Sequence, residues 1–96
     1  MIRVIIERKI DESCLDEYLE MARNARKQAN MVSGFIAGEL LQEKNNPHHA
    51  IIISSWEDNQ SWIDWSVSEQ RQKVLSDMRP LLQTDEKVTI LENSHF

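Results

Sequence analysis

Three tryptophans, Trp56, Trp62 and Trp65, fall within ten residues of one another. An indole offers a wide apolar face and one N–H donor, so such a cluster suits an aromatic-lined pocket for a flat ligand, with polar groups supplied by neighbours. The same rings equally suit the gap between a helix and a sheet in a small domain, and the residues alone leave both readings open. His48 and His49 are adjacent, so on a strand their rings point to opposite faces and do not chelate. His49 can face a pocket from the start of a strand or lie on the surface. Cys14 precedes a helical pattern, a position that can lower a thiol pKa, though an incidental role fits as well. A single cysteine permits no internal disulfide, and with no Cys/His set at ligand spacing no metal site is expected.

These residues must be positioned by elements whose pattern is readable. Ile2 to Ile10 mixes β-branched residues with charges and reads as a first strand, with Ile2, Val4, Ile6 and Ile10 on one face and Ile5 on the other. Asp11 or Ser13 can cap a helix of about five turns, in which Leu15, Leu19, Ala22, Ala25 or Arg26, and Ala29 recur at helical spacing, flanked by Tyr18 and Met21. Ser33-Gly34 ends it. Phe35 to Gln42 reads as a second strand, Glu43 to Pro47 as a polar hairpin loop, and His48 to Glu57 as a third strand. The Ile51-Ile52-Ile53 run in that strand implies cover on both faces.

From Asp58 the pattern is helical again, carrying Trp62, Ile63 and Trp65. Ser68 can recap a second piece with Val74, Leu75, Met78, Leu81 and Leu82. Pro80 limits its last turn. Lys87 to Glu92 makes a fourth strand, and residues 93–96 read as a flexible tail.

The order β-α-β-β-α-β predicts an α+β, ferredoxin-like fold: a four-stranded antiparallel sheet with two helices on one face, spanning residues 1–96 as one domain. The other face of the sheet keeps apolar side chains from several strands. An exposed apolar face of that size implies an interface, and symmetric pairing of two copies, sheet against sheet, covers it.

With 41% hydrophobic and 28% charged residues, two Gly and two Pro, the composition is that of an ordinary globular chain. The net charge of −5 argues against nucleic acid or an anionic membrane as partner. Arg23, Arg26 and Lys27 form the nearest basic cluster, diluted by Glu17 and Glu20 into a solvated helix face. The N-terminal apolar stretch is too short for a signal peptide, and no run of about 18 apolar residues could span a bilayer. A cytoplasmic protein is expected.

The run Ser33-Gly34-Phe35-Ile36-Ala37-Gly38-Glu39-Leu40, followed by Ile51-Ile52-Ile53-Ser54-Ser55-Trp56-Glu57-Asp58-Asn59-Gln60-Ser61-Trp62, resembles the antibiotic biosynthesis monooxygenase family. There a Gly-Phe opens the second strand, and a strand-ending tryptophan leads through a polar turn into the second helix. The resemblance implies a dimeric α+β barrel with a pocket between sheet and helices. It also implies oxidation of aromatic or quinol-like substrates by O₂ without metal or flavin, the substrate itself being the reductant. Trp56 matches the strand-end tryptophan, and Trp62 stands where quinol-oxidising members carry a phenol. Their strand asparagine falls on Ile52 and their helix arginine near Ser76, which removes one donor from any oxyanion site.

Trp65, in the context Asp64-Trp65, matches the pocket tryptophan of a heme-degrading branch. The iron-ligating histidine of that branch is replaced by Leu75, and its first-strand asparagine falls on Glu7, so no heme is expected. The resemblance makes Glu7 pocket-facing, and a buried carboxylate there would have a raised pKa suited to acid/base work. A strand glutamate directed to solvent, Arg3 or Arg8 is the other reading.

The expectation is therefore a cofactor-free monooxygenase for a small aromatic or hydrophobic molecule. Trp56, Trp62, Trp65, Ile52 and Leu75 would shape its pocket, and Glu7 or His49 would move a proton. A non-catalytic ligand-binding dimer and an isomerase-type member of the same superfamily are the alternatives.

Overall fold

In the computed structural model, which describes residues 1–94, the chain runs through β1 (Ile2–Lys9), α1 (Leu15–Ala29), β2 (Phe35–Glu43), β3 (Asn46–Trp56), α2 (Asn59–Ser66), α3 (Glu69–Met78) and β4 (Lys87–Glu92). The strands form one sheet in the order β2-β3-β1-β4, every neighbouring pair antiparallel. This is the ferredoxin-like arrangement that the element order predicts. Of the anticipated tail, His95 and Phe96 lie outside the described residues. No helix among the described residues is long and apolar enough to cross a membrane.

Alternation along β1 decides which side chains meet the helices. Ile2, Val4, Ile6 and Arg8 are buried on one side, while Arg3 and Lys9 are exposed on the other. β3 opposes them with Trp56, Ser54, Ile52 and Ala50 on the helix side, and with Ser55, Ile53, Ile51 and His49 on the uncovered side. Two apolar clusters result. Ile2, Val4, Ile6, Ala29, Trp56, Trp62 and Trp65 pack at one end. Ile10, Tyr18, Ala22, Ala50, Met78 and Leu81 pack at the other.

Several boundaries differ from the sequence reading for local reasons. β1 stops at Lys9, and Ile10 survives only as an isolated bridge to Leu82. The Asp11 carboxylate accepts the Ser13 N–H, so the cap opens a 3₁₀ turn at Glu12–Cys14 before α1 begins. α1 is therefore about four turns long and ends at Ala29, ahead of Ser33-Gly34. Its buried centre is Tyr18, fully enclosed, which the stripe of leucines and alanines left at the margin. The hairpin is tighter than its polar composition implies, because Glu43 pairs with Asn46 and leaves Lys44 and Asn45 as the turn.

The second helical stretch is two helices. Asp58 caps α2 by accepting from the Ser61 N–H and hydroxyl, bonds that hold its carboxyl below the usual aspartate range. Ser68 then accepts from the Arg71 N–H and starts α3. Pro80 sits in a closing 3₁₀ turn, Arg79–Leu81.

Gly34 fixes how β2 meets α2. Its φ of 89° lies in the left-handed region, and a Cβ there would overlap the Ser61 side chain. Its carbonyl also accepts the Glu57 N–H at 2.8 Å. Gly34→Ala therefore combines an unfavourable backbone with a clash at the first turn of α2. An expected loss of about 3 kcal/mol is read from the midpoint shift in urea denaturation, with the slope unchanged.

Candidate functional site

The space between α1 and the sheet is not filled. α1 turns Ala22, Ala25 and Ala29 toward β2 and β3, and such short side chains leave volume that larger ones would occupy. Gly38 opposes them from the sheet, where a Cβ would come within 3.2 Å of the Phe35 ring. The outcome is a cavity of about 390 Å³. Its walls come from β1, α1, β2, β3, α2 and α3.

One end of the cavity is aromatic. Trp56 closes the strand with its ring edge-on to Phe35 at 5.2 Å and to Trp62 at 5.7 Å. The Trp56 Nε1–H donates to the Ser54 hydroxyl at 3.0 Å, so its only polar atom is satisfied inside the core. Trp65 is buried one turn beyond Trp62 on α2. Ile52 and Leu75 continue the apolar wall. All five anticipated wall residues, Trp56, Trp62, Trp65, Ile52 and Leu75, line this one cavity.

The other end is charged. Arg8, only 4% exposed, fills the helix-side position that β1 leaves between Ile6 and Ile10. Its Nε and Nη2 donate to one oxygen of Glu86 at 3.0 and 2.9 Å, and its Nη1 donates to the Tyr18 hydroxyl at 3.1 Å. Arg71, 7% exposed, donates through Nη2 to the other Glu86 oxygen at 3.0 Å, and its guanidinium lies over the Trp62 ring at 5.1 Å. Burial pushes the Glu86 carboxyl up, but Arg8 and Arg71, by charge and hydrogen bonds, outweigh it and hold the group below the usual glutamate range. Two guanidinium charges against one carboxylate leave this end of the cavity electropositive.

The two anticipated proton carriers are placed elsewhere, and the expectation that they face this cavity is corrected. Glu7 and His49 belong to the alternate set of strand positions, so their side chains lie on the uncovered face of the sheet. There His49 lies 3.7 Å from Glu7 and 3.8 Å from Glu43, and Lys87 is 4.0 Å from Glu7. Neither Glu7 nor His49 lines the cavity. Glu39, which does, pairs with Ile53 in register, the phase of the uncovered face. Ser76, on which the resemblance put a helix arginine, is exposed, while Arg71 on the same helix reaches the cavity. Among the described residues no three His, Cys, Asp or Glu side chains converge on a point.

Sequence reasoning missed Arg8, Tyr18, Arg71 and Glu86. Two signals pointed to them. Arg8 is the gap in the apolar phase of β1, and Arg71 heads the α3 stripe of Val74, Leu75 and Met78 at positions one and two turns earlier. Nothing in the local pattern marks Glu86.

The sequence profile of the antibiotic biosynthesis monooxygenase family matches residues 1–76. No curated protein matches the chain in sequence. Among solved structures, a conserved protein from Methanosarcina mazei Go1 superposes with a TM-score of 0.91 at 17% identity, over 97% of this chain and 92% of that one. A structure described as an antibiotic biosynthesis monooxygenase gives 0.89 at 18% identity, over 97% and 98%. SnoaB from Streptomyces nogalater, described as a cofactor-independent oxygenase, gives 0.87 at 12% identity, over 97% and 92%. At these identities the likeness establishes the fold.

The Glu86 bridge generates a pH-dependent prediction. A carboxyl whose folded pKa is depressed adds stability above its unfolded pKa and loses it as pH falls through the folded value. Stability of the native chain is therefore expected to drop below the ordinary glutamate range, about pH 4.3. Glu86→Gln, which leaves two buried guanidinia without a counter-charge, costs about 3 kcal/mol at neutral pH and lacks that part of the acid slope. Urea midpoints of both proteins from pH 7 down to 3.5 provide the check.

Proposed function

The chain belongs to the antibiotic biosynthesis monooxygenase family, and on that premise we propose that it is a cofactor-independent monooxygenase for a small aromatic or quinol-like substrate held in the cavity between sheet and helices. The observation that carries this reading is the cavity's aromatic end, where Trp56, Trp62 and Trp65 meet Ile52 and Leu75. Such walls take a flat ring by its faces and shed water from it.

In the proposed reaction a C–H₂ carbon activated by flanking phenolic rings, as in an anthrone, first loses a proton. The resulting carbanion or phenolate passes electrons to O₂, and the oxygenated carbon collapses to a carbonyl. Both hydrogens leave that carbon, one oxygen atom becomes C=O, and the other departs as water, so the substrate supplies every electron. What the protein contributes is position, exclusion of bulk water at the ring, and an electropositive end that favours the deprotonated form. Glu86 is a poor base because both of its oxygens are held by arginine. With Glu39 on the strand phase of the uncovered face, the proton in this reading goes to water at the mouth of the cavity.

A second reading, a carrier or sensor that binds the same ligand without turnover, is favoured by the apolar side chains at Ile52 and Leu75, where the family places polar groups. We also propose that two copies pair through the uncovered sheet face. Ile5, Ile51 and Ile53 are half-buried there, and Leu41 and Leu91 are exposed.

O₂ uptake by the purified protein with hydroquinones and anthrone-like phenols tests the oxygenase. One O₂ per carbonyl formed is expected. Ala25→Phe, which fills the cavity from α1 without removing a core side chain, should lower kcat/KM by about a hundredfold, and Glu7→Gln should stay within about twofold. No uptake, with tryptophan fluorescence still quenched by the same compounds, makes the protein a binder.

Pairing is checked separately by sedimentation. A dimer is expected for the native chain, and Ile53→Glu, placing charge at the centre of the uncovered face, should yield monomer. A native chain that already sediments as a monomer would sink the pairing.

A further inference from the structure

Arg71 has more donors than its protein partners use. Its side chain is nearly enclosed, at 8% exposure, yet among the described residues only Nη2 makes a hydrogen bond, to Glu86. Its Nε and Nη1 donate to no acceptor among the described residues. The only fully enclosed side-chain polar atom without a partner among the described residues is His48 Nδ1. The free N–H groups of Arg71 are thus not sealed in protein, and the residue is one of those that line the cavity.

The guanidinium cannot swing away to find water. Glu86 holds one edge of its plane, and the Trp62 ring supports one face at 5.1 Å. The bridge to Arg8 anchors Glu86 in turn, and Tyr18 anchors Arg8. A planar donor fork fixed in this way matches two oxygens of a carboxylate. The charge balance agrees with that match, because a buried positive charge left over from the Arg8–Glu86–Arg71 group is costly without an anion. Arg23 and Arg26, exposed on α1, also line the cavity. The chain carries a net charge of −5, so this concentration of arginine runs against its overall balance and attracts anions to this one opening.

We propose that the ligand of this cavity is an aromatic carboxylate, its ring between the tryptophans and its carboxylate on the guanidinium edge of Arg71 that Glu86 leaves free. This deepens the oxygenase reading by naming the substrate class, and it rests on that reading only for what happens to the ring. Binding of the acid is a property of the cavity whether or not turnover follows. Arg71 is here a binding residue, while Arg8 and Glu86 are positioning residues that aim it.

The test is a pair of matched probes, 2-naphthoate and the uncharged 2-naphthamide, titrated against native protein by tryptophan fluorescence. The acid is expected to bind about tenfold tighter or more than the amide. In Arg71→Leu, where Glu86 remains paired with Arg8, the acid should weaken to within about twofold of the amide, while the amide's own affinity barely moves. Equal affinity of acid and amide in the native protein overturns the assignment, as does an acid preference that survives Arg71→Leu. Should that variant fail to fold, Arg71→Lys keeps the charge but loses the fork, and an acid-to-amide ratio unchanged from native overturns it equally. The two readings fail separately: O₂ uptake on neutral quinols with no acid preference removes this inference alone, and acid preference with no uptake removes the oxygenase alone.

Discussion

Everything at the helix side of this sheet is arranged around one costly choice, the burial of two arginines on one glutamate. Taking three charges from water costs several kcal/mol each, and the attraction between them repays this only with good geometry. Here the geometry is tight: each Glu86 oxygen is taken by a different guanidinium within 3.0 Å, and Tyr18 uses a further donor of Arg8. The bridge joins strand β1, helix α3 and the segment leading into β4, while Tyr18 adds α1. Elements distant in sequence are thereby tied at one point. Apolar replacements of buried ion groups are often as stable or more so, so stability alone is a weak account of it. The anion-binding role proposed for the cavity would account for it.

The aromatic end answers the charged end. Trp62 is the hinge between them, edge-on to Trp56 on one side and beneath the Arg71 guanidinium on the other. Its place on α2 depends on the Asp58 cap and on Gly34, whose missing side chain lets the first turn of α2 approach the start of β2. The break between α2 and α3 belongs to the same design. Recapping at Ser68 starts α3 afresh, with Arg71 in its first turn rather than in the fourth turn of one continuous helix. Trp65 and Arg71 can then both face one space.

The fold was almost wholly legible, since strand alternation and helical spacing report which side each residue faces before any contact is known. The boundaries that moved did so where short-range bonds compete with pattern, as at Asp11 and in the Lys44-Asn45 turn. The aromatic wall was legible because tryptophans advertise themselves by size and clustering. The charged end was not. An arginine in an apolar phase reads as an interruption, and only its partner, Glu86, 78 residues away in the chain, turns the interruption into a site. Glu7 misled for a related reason. The resemblance assigned it a pocket position, whereas the phase of its own strand, one residue out of step with Ile6 and Arg8, had already put it on the other face.

That displacement constrains the chemistry. Glu7 and His49 lie across the sheet and Glu86 is clamped, and the carboxylate that remains among the described lining residues, Glu39, sits on the strand phase of the uncovered face. On the proposed oxygenase reading, a site so equipped would suit substrates that bring their own acidity, such as carbons activated by flanking rings, and would help by the field of its arginines. An aromatic carboxylate seated on Arg71 would partly neutralise that field, leaving the rest to Arg23 and Arg26 at the opening. The ring to be oxidised would then lie at the tryptophan end, away from the carboxylate, where apolar walls keep water from the carbon that meets O₂. On these proposals binding and reaction would divide along the length of one cavity, with the charged end fixing the orientation and the aromatic end deciding which carbon is exposed.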